Sequence, residues 1–162
     1  YAKLQYPDLT FNDEDYLSSS SLKKYSDVFM WDVIEHLSEP EKFIEKISHE
    51  IVDNGFIYIT TGNIKSMNAR IWGRKWRLIH PPSHLYYFSE KSLSSFLKKY
   101  NFTVIKIKYF PVKRSVKQIF YSLFILKKGG SALSRFLYKH IPKKLTISIN
   151  THDIMLVIAQ KD

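Results

Sequence analysis

The chain has 162 residues, 44% of them hydrophobic and 25% charged, which suits one globular domain with a core and excludes a disordered chain. It contains no cysteine, so disulfides and cysteine-ligated metals are excluded and a reducing, cytoplasmic setting fits. The formal net charge of +10 favours acidic partners such as phosphates, nucleic acid or anionic lipid, without deciding the fold.

The opening Tyr-Ala-Lys-Leu-Gln-Tyr-Pro reads as the tail of a helix and lacks the apolar segment of a signal peptide. With Tyr1 in first place, a partial chain is expected. Residues 9–11 read as a short strand end, followed by an acidic turn at 12–15. The serines of 18–21 are the one low-complexity stretch. Residues 28–31 form a continuous apolar run, expected as a strand buried on both faces. Ser38, with Glu41 three residues on and Pro40 between, predicts a capped helix start. Phe43, Ile44, Ile47, Ile51 and Val52 fall on one helical face, and Gly55 is expected to stop that helix. Residues 56–60 follow as the next apolar strand. Strand, helix and strand with short links imply a βαβ unit with parallel pairing.

Ser89 is expected to cap a further helix whose inner face is Leu93, Phe96, Leu97 and Tyr100, with Asn101 ending it. Residues 103–109 alternate, placing Ile105, Ile107 and Tyr109 on one side and Lys106 and Lys108 on the other. Between Lys91 and His152 there is no aspartate or glutamate, while lysines and arginines recur, including Lys113, Arg114, Lys127, Lys128 and Lys144. This is a basic face. Within it, residues 111–144 read as helical, broken at Gly129-Gly130, with Val112, Val116, Ile119, Phe120 and Leu123 on one stripe and Leu133, Phe136, Leu137 and Ile141 on another. Residues 154–159 make a last strand. The longest apolar run, 119–126, is far short of the ~18 residues of a membrane span.

Two stretches carry a family resemblance. Asp27-Val28-Phe29-Met30-Trp31-Asp32-Val33-Ile34-Glu35-His36-Leu37 resembles the fourth strand and following loop of class I S-adenosylmethionine-dependent methyltransferases, of the type 11, 12 and 23 kind. Asp53-Asn54-Gly55 with residues 56–60, and then Thr61-Gly62-Asn63, is similar to the next strand of that family. A subgroup continues with strings like residues 69–76 and His80-Pro81-Pro82-Ser83-His84-Leu85-Tyr86-Tyr87-Phe88-Ser89, the most specific signal in the chain. That subgroup is often found in cell-surface polysaccharide or small-metabolite pathways. The resemblance implies an α/β fold, a Rossmann-like methyltransferase sheet, N-terminally truncated, with its last strand antiparallel. It implies one partial domain over 1–162, with a basic helical insertion at 111–148. The family's glycine-rich first turn and the acidic end of its second strand do not occur in the sequence, so the isolated chain is expected to bind cofactor poorly.

By the same resemblance the cofactor is S-adenosyl-L-methionine. Asp13 stands where the family often has an acidic residue near the adenine amino group, and Met30, Trp31 and Asp32 fall at a strand's carboxyl end, where open α/β sheets bind ligands. His36, with Glu35, either orients cofactor or substrate or anchors a loop. His80 and His84 flank a Pro-Pro turn. Either could take a proton from an acceptor hydroxyl or amine, and the alternative is a structural hydrogen bond. Trp76, Tyr86 and Tyr87, with Trp72, could line an acceptor pocket or fill core. Arg74, with Arg70 and Arg77, could grip an anionic group or lie on a solvated helix face. No metal site is expected, since there is neither cysteine nor an HExxH helix.

The implied function is methylation of oxygen or nitrogen on a small-molecule or sugar-like acceptor. The basic segment over 112–144 could cover substrate, lie on a membrane surface from the cytoplasmic side, or be a solvated face. The competing classes are a nucleic-acid-binding module, which lacks any usual recognition motif, and a non-catalytic binding protein on a decayed methyltransferase fold.

Overall fold

A computed structural model describes residues 2–19, 24–126 and 129–162. Tyr1, Ser20, Ser21, Lys127 and Lys128, on which parts of the reading above fall, lie outside the described residues.

The core is a four-stranded sheet in the order β1-β2-β6-β3, from β1 (Tyr25–Trp31), β2 (Ile51–Gly62), β3 (Phe102–Tyr109) and β6 (Ile154–Lys161). β1 and β2 pair in parallel, with Met30 opposite Ile59 and Trp31 opposite Thr60. Helix α2 (Pro40–Glu50) connects them, which gives the expected βαβ unit. β6 runs antiparallel to both β2 and β3, as expected for the last strand. A four-residue helix α1 (Ala2–Gln5) opens the chain.

One apolar cluster joins the sheet to its helices. Ile57 and Ile59 of β2 and Met155, Val157 and Ala159 of β6 pack with Ile44 and Ile47 of α2. Leu93 and Leu97 of α4 (Glu90–Lys98) close the cluster, and both are fully buried. Burying a Leu or Ile side chain contributes about 1.5–3 kcal/mol. Ser89 caps α4 by accepting from the Ser92 amide at 3.1 Å, Phe96 and Tyr100 pack half-buried against the core, and Asn101 turns the chain at φ 60°.

Several local expectations are corrected. Residues 9–11 are irregular: a strand needs a hydrogen-bonded neighbour, and no described sheet strand runs beside them. β1 is buried on one face only, the face that shares the core cluster with Ile44 and Ile47 of α2. Met30 faces the core, while Phe29 and Trp31 are more than half exposed. The cap of α2 is Glu39, not Ser38, and no side chain bonds the free amides there. The carbonyl of Ser38 instead accepts from Tyr86 Oη at 3.4 Å.

α2 ends at Glu50, and Ile51 and Val52 belong to β2. Gly55 is therefore not a helix cap. It lets two backbones approach, since a Cβ there would lie 2.7 Å from the Ser26 carbonyl oxygen and 2.9 Å from that of Val52. In β3 the register shifts between Val104 and Lys106. This bulge leaves Ile105 exposed while Val104, Ile107 and Tyr109 pack on the core.

The segment between β3 and β6 is not helical from its start. It opens with β4 (Val112–Ser115), paired antiparallel with β5 (Thr146–Ile149). Between them lie α5 (Val116–Phe120), a π-helical stretch (Tyr121–Leu126) and α6 (Ala132–His140). Ser115 is extended, as a ribbon requires, and these elements pack chiefly on one another. No helix among the described residues is long and apolar enough to cross a membrane.

Candidate functional site

The carboxyl end of β1 is held by β2. The Asp32 amide donates to Thr60 O at 3.2 Å and to Thr60 Oγ1 at 2.9 Å, while the Thr60 hydroxyl donates to Asp32 Oδ1 at 3.0 Å. Asp32 adopts φ 51°, a conformation aspartate tolerates better than most residues. The chain then turns into a 3₁₀ turn (Ile34–His36), whose Ile34 and Glu35 are buried.

This turn holds the loop carrying His80 and His84. The Glu35 carbonyl accepts from the Leu85 amide at 2.8 Å and the Tyr86 amide at 3.3 Å. His36 Nδ1 bonds the Ser83 carbonyl at 2.7 Å, and His84 Nδ1 bonds that of Leu78 at 2.9 Å. The rings of His36 and His84 meet edge to face at 4.6 Å, and those of His80 and His84 lie 6.0 Å apart. His80 Nδ1 reaches Ser83 Oγ at 3.1 Å, and its backbone amide donates to Tyr87 Oη at 3.3 Å. Glu35, Thr61, Trp76, His84, Tyr86 and Tyr87 surround a small cavity of about 10 Å³.

Most residues singled out from the sequence therefore converge: Trp31 and Asp32 exposed at the strand end, then His36, His80, His84, Tyr86 and Tyr87 on the adjoining turn and loop. Met30 lies just beneath, in the core. Trp76 is buried, and its indole N–H donates to Asp153 Oδ1 at 3.2 Å. Asp13 lies in an exposed stretch near the start of the chain, and Arg74 lies exposed on a 3₁₀ turn (Gly73–Lys75). Arg77 is drawn toward Asp153, with Nε 3.8 Å from Oδ2. Arg70 borders a separate polar depression of about 460 Å³, with Lys65 and Asn150.

The sequence reading missed Asp153. It is 5% exposed and accepts from Ser66 Oγ at 2.9 Å, Asn68 Nδ2 at 2.7 Å and the Trp76 indole. Burial pushes its carboxyl up, but hydrogen bonds from Asn68, Ser66, Thr151 and Trp76 outweigh this and hold it below the usual carboxylate range. Ser66 also caps α3 (Met67–Trp72) by accepting from the Ala69 amide at 3.1 Å. The cluster thus fixes the segment leading to the histidine loop. An acid just before the last strand is the only sequence signal that could have marked it.

The sheet and the site at the end of its parallel strands define a Rossmann-like α/β architecture of the methyltransferase type. The methyltransferase domain family matches residues 4–107, and the chain belongs to that family. No curated protein matches the sequence. A provisionally assigned methyltransferase of Bacillus halodurans is 10% identical at a TM-score of 0.56, with 91% of this chain and 70% of that one covered. An S-adenosylmethionine-dependent methyltransferase of Archaeoglobus fulgidus is 19% identical at 0.55, covering 90% and 63%. The N-methyltransferase NodS of Bradyrhizobium japonicum, in complex with S-adenosyl-L-homocysteine, is 11% identical at 0.51, covering 99% and 59%. At these identities the likeness is one of fold. The chain spans 70%, 63% and 59% of the three.

Proposed function

We propose that this chain takes part in methyl transfer from S-adenosyl-L-methionine to an oxygen or nitrogen of a small-molecule or sugar-like acceptor. The observation that carries the reading is the tie between the strand end and the histidine loop. The Glu35 carbonyl accepts two bonds from residues 85 and 86 and His36 donates one to Ser83, so a donor at Asp32 and an acceptor at the loop would be neighbours. Proximity and alignment are the main demands of this reaction. The cofactor supplies a methyl group already activated on a sulfonium.

The residues at the strand end suit such a ligand. Trp31 offers an exposed aromatic face and Asp32 an exposed carboxylate, the acceptor that an amino or ammonium group requires. Asp13 is the further acidic residue assigned to the adenine side. On the acceptor side, Tyr86, Tyr87 and Trp76 lie together beside His84, and Arg74 is the residue assigned to an anionic group of the acceptor. The pair His80 and His84 supplies the proton acceptor as the new bond forms. Each ring has one nitrogen held by a neighbour, which fixes its orientation while leaving the other nitrogen for this task.

The test uses the protein with its own gene's full reading frame. Calorimetry with S-adenosyl-L-methionine should give binding, and turnover of a labelled methyl group should fall about 10²-fold or more in His80→Ala with cofactor affinity unchanged. No cofactor binding by that protein would refute the reading and favour a non-catalytic role.

A second reading concerns residues 111–148, an insertion before the last strand. Phe124, Leu126, Leu133, Phe136 and Leu137 are all more than 40% exposed, amid lysines with no acidic residue in the segment. That combination supports peripheral contact with an anionic lipid surface from its cytoplasmic side. Co-sedimentation with vesicles containing phosphatidylserine should fall in Leu133→Glu/Phe136→Glu. Equal binding by wild type and variant would refute it, and salt-sensitive binding to DNA alone would favour a nucleic-acid partner.

A further inference from the structure

Glu35 is 4% exposed. Among the described residues, its Oε2 is the one buried side-chain polar atom without a hydrogen-bond partner. Leaving such an atom unpaired costs about 1–3 kcal/mol, and more when it is charged. Beside it stand His36 and His84. The three residues each offer a ligand atom, and these atoms lie within 4.8 Å of one another.

The imidazoles are oriented for the same purpose. His36 Nδ1 and His84 Nδ1 each face a backbone carbonyl, at 2.7 Å and 2.9 Å. A carbonyl only accepts, so Nδ1 carries the proton and the neutral ring keeps its lone pair on Nε2. Metal-binding histidines are anchored in this way, through the other ring N–H on a carbonyl or carboxylate. The adjoining cavity of about 10 Å³ has room for one atom-sized guest and none for an organic substrate.

We propose that Glu35, His36 and His84 bind a single divalent transition-metal cation of the zinc type. Two imidazole nitrogens and one carboxylate oxygen form a donor set that this borderline ion prefers, with a fourth position open to water or substrate oxygen. Tetrahedral bonds of about 2.0–2.1 Å would set the donors roughly 3.3 Å apart. Each side chain therefore closes by an ångström or so, within reach of small rotations. The site stands independently of the methyl-transfer reading. With a cation bound, His84 becomes a ligand, and His80 is left as the proton acceptor. No local motif marks this donor set, because the third donor comes from a distant loop.

The test is calorimetric titration of the chelator-stripped full chain with Zn²⁺ alone, without cofactor or acceptor. One equivalent should bind, and His36→Ala, His84→Ala and Glu35→Gln should each weaken binding by roughly a hundred-fold or more. His140→Ala, removing an exposed histidine elsewhere, should leave binding unchanged. Co²⁺ in place of Zn²⁺ should give visible bands of a four-coordinate site that His36→Ala abolishes. Circular dichroism confirms the fold of each variant. If Glu35→Gln fails to fold, the exposed His36 still decides. No Zn²⁺ binding by the folded chain, or affinity unchanged in His36→Ala, would overturn the proposal.

Discussion

Removing the carboxylate of Asp153 should cost more stability than any other single polar change outside the histidine loop. Asp153→Ala leaves Ser66 Oγ, Asn68 Nδ2 and the Trp76 indole N–H without their shared acceptor. Ser66 and Trp76 are buried at 2% and 3% exposure, so water cannot replace the lost partner at either without rearrangement. Each buried donor left unpaired costs about 1–3 kcal/mol, which puts the total at about 3–5 kcal/mol. Urea unfolding at pH 7 measures it directly. Asp153→Asn should lose about half as much, since one oxygen remains while an N–H₂ group now meets other donors. Because the native carboxyl is held below its usual range, its contribution is present above the unfolded pKa of about 3.9 and is lost as pH falls through the lower native value. The gap between wild type and Asp153→Asn should therefore narrow in acid. A loss under about 1 kcal/mol for Asp153→Ala, or a gap that widens as pH falls, would refute this account.

Gly55→Ala should destabilise by about 1–3 kcal/mol, because the added carbon meets the backbone oxygens of Ser26 and Val52, and thermal melting would show it. Ser89→Ala removes the cap of α4 and should cost about 1 kcal/mol in urea unfolding. Tyr16→Phe removes the hydroxyl that donates to Glu50 Oε2 at 2.7 Å. Burial raises the Glu50 carboxyl, but hydrogen bonds from Lys46 and Tyr16 keep it below its usual value. The variant's Glu50 should thus titrate higher by NMR, and the stability that Glu50 gives above its unfolded pKa should shrink.

The parallel unit was legible because its signals agree: an apolar run at 28–31, a Pro40 start, and a second apolar run at 56–60. Its helix end was not. Ile47, Ile51 and Val52 keep helical spacing, yet Ile51 and Val52 already belong to β2, whose buried alternation of Gly55, Ile57, Ile59 and Thr61 follows. Periodicity cannot choose between these, and Gly55 serves close approach rather than chain reversal. The bulge at Ile105 carries no local mark, since it answers to pairing with β6. In the site, the string from His80 to Ser89 and the run from Met30 to His36 were found from sequence as separate pieces. Their union through the Glu35 carbonyl is tertiary, as is the gathering of Ser66, Asn68 and Trp76 on Asp153. Arg74 was grouped with Arg70 and Arg77, but among the described residues Arg77 is the one of the three that forms an ion pair with that carboxylate.

The junction of the 111–148 segment with the sheet has a consequence for how freely the segment can vary. Tyr109 and Met155 are paired across β3 and β6, Asn150 Nδ2 donates to the Tyr109 carbonyl at 3.3 Å, and the rings of Tyr109 and His152 stack at 4.4 Å. The chain thus leaves the sheet and returns to it at one clasp. With the ends already pinned, each doubling of the excursion's length costs only about 0.6 kcal/mol in closure entropy. An excursion hung from such a clasp can be lengthened, shortened or exchanged while the strands beneath keep their register. Through that clasp one and the same sheet can present surfaces of different shape and charge.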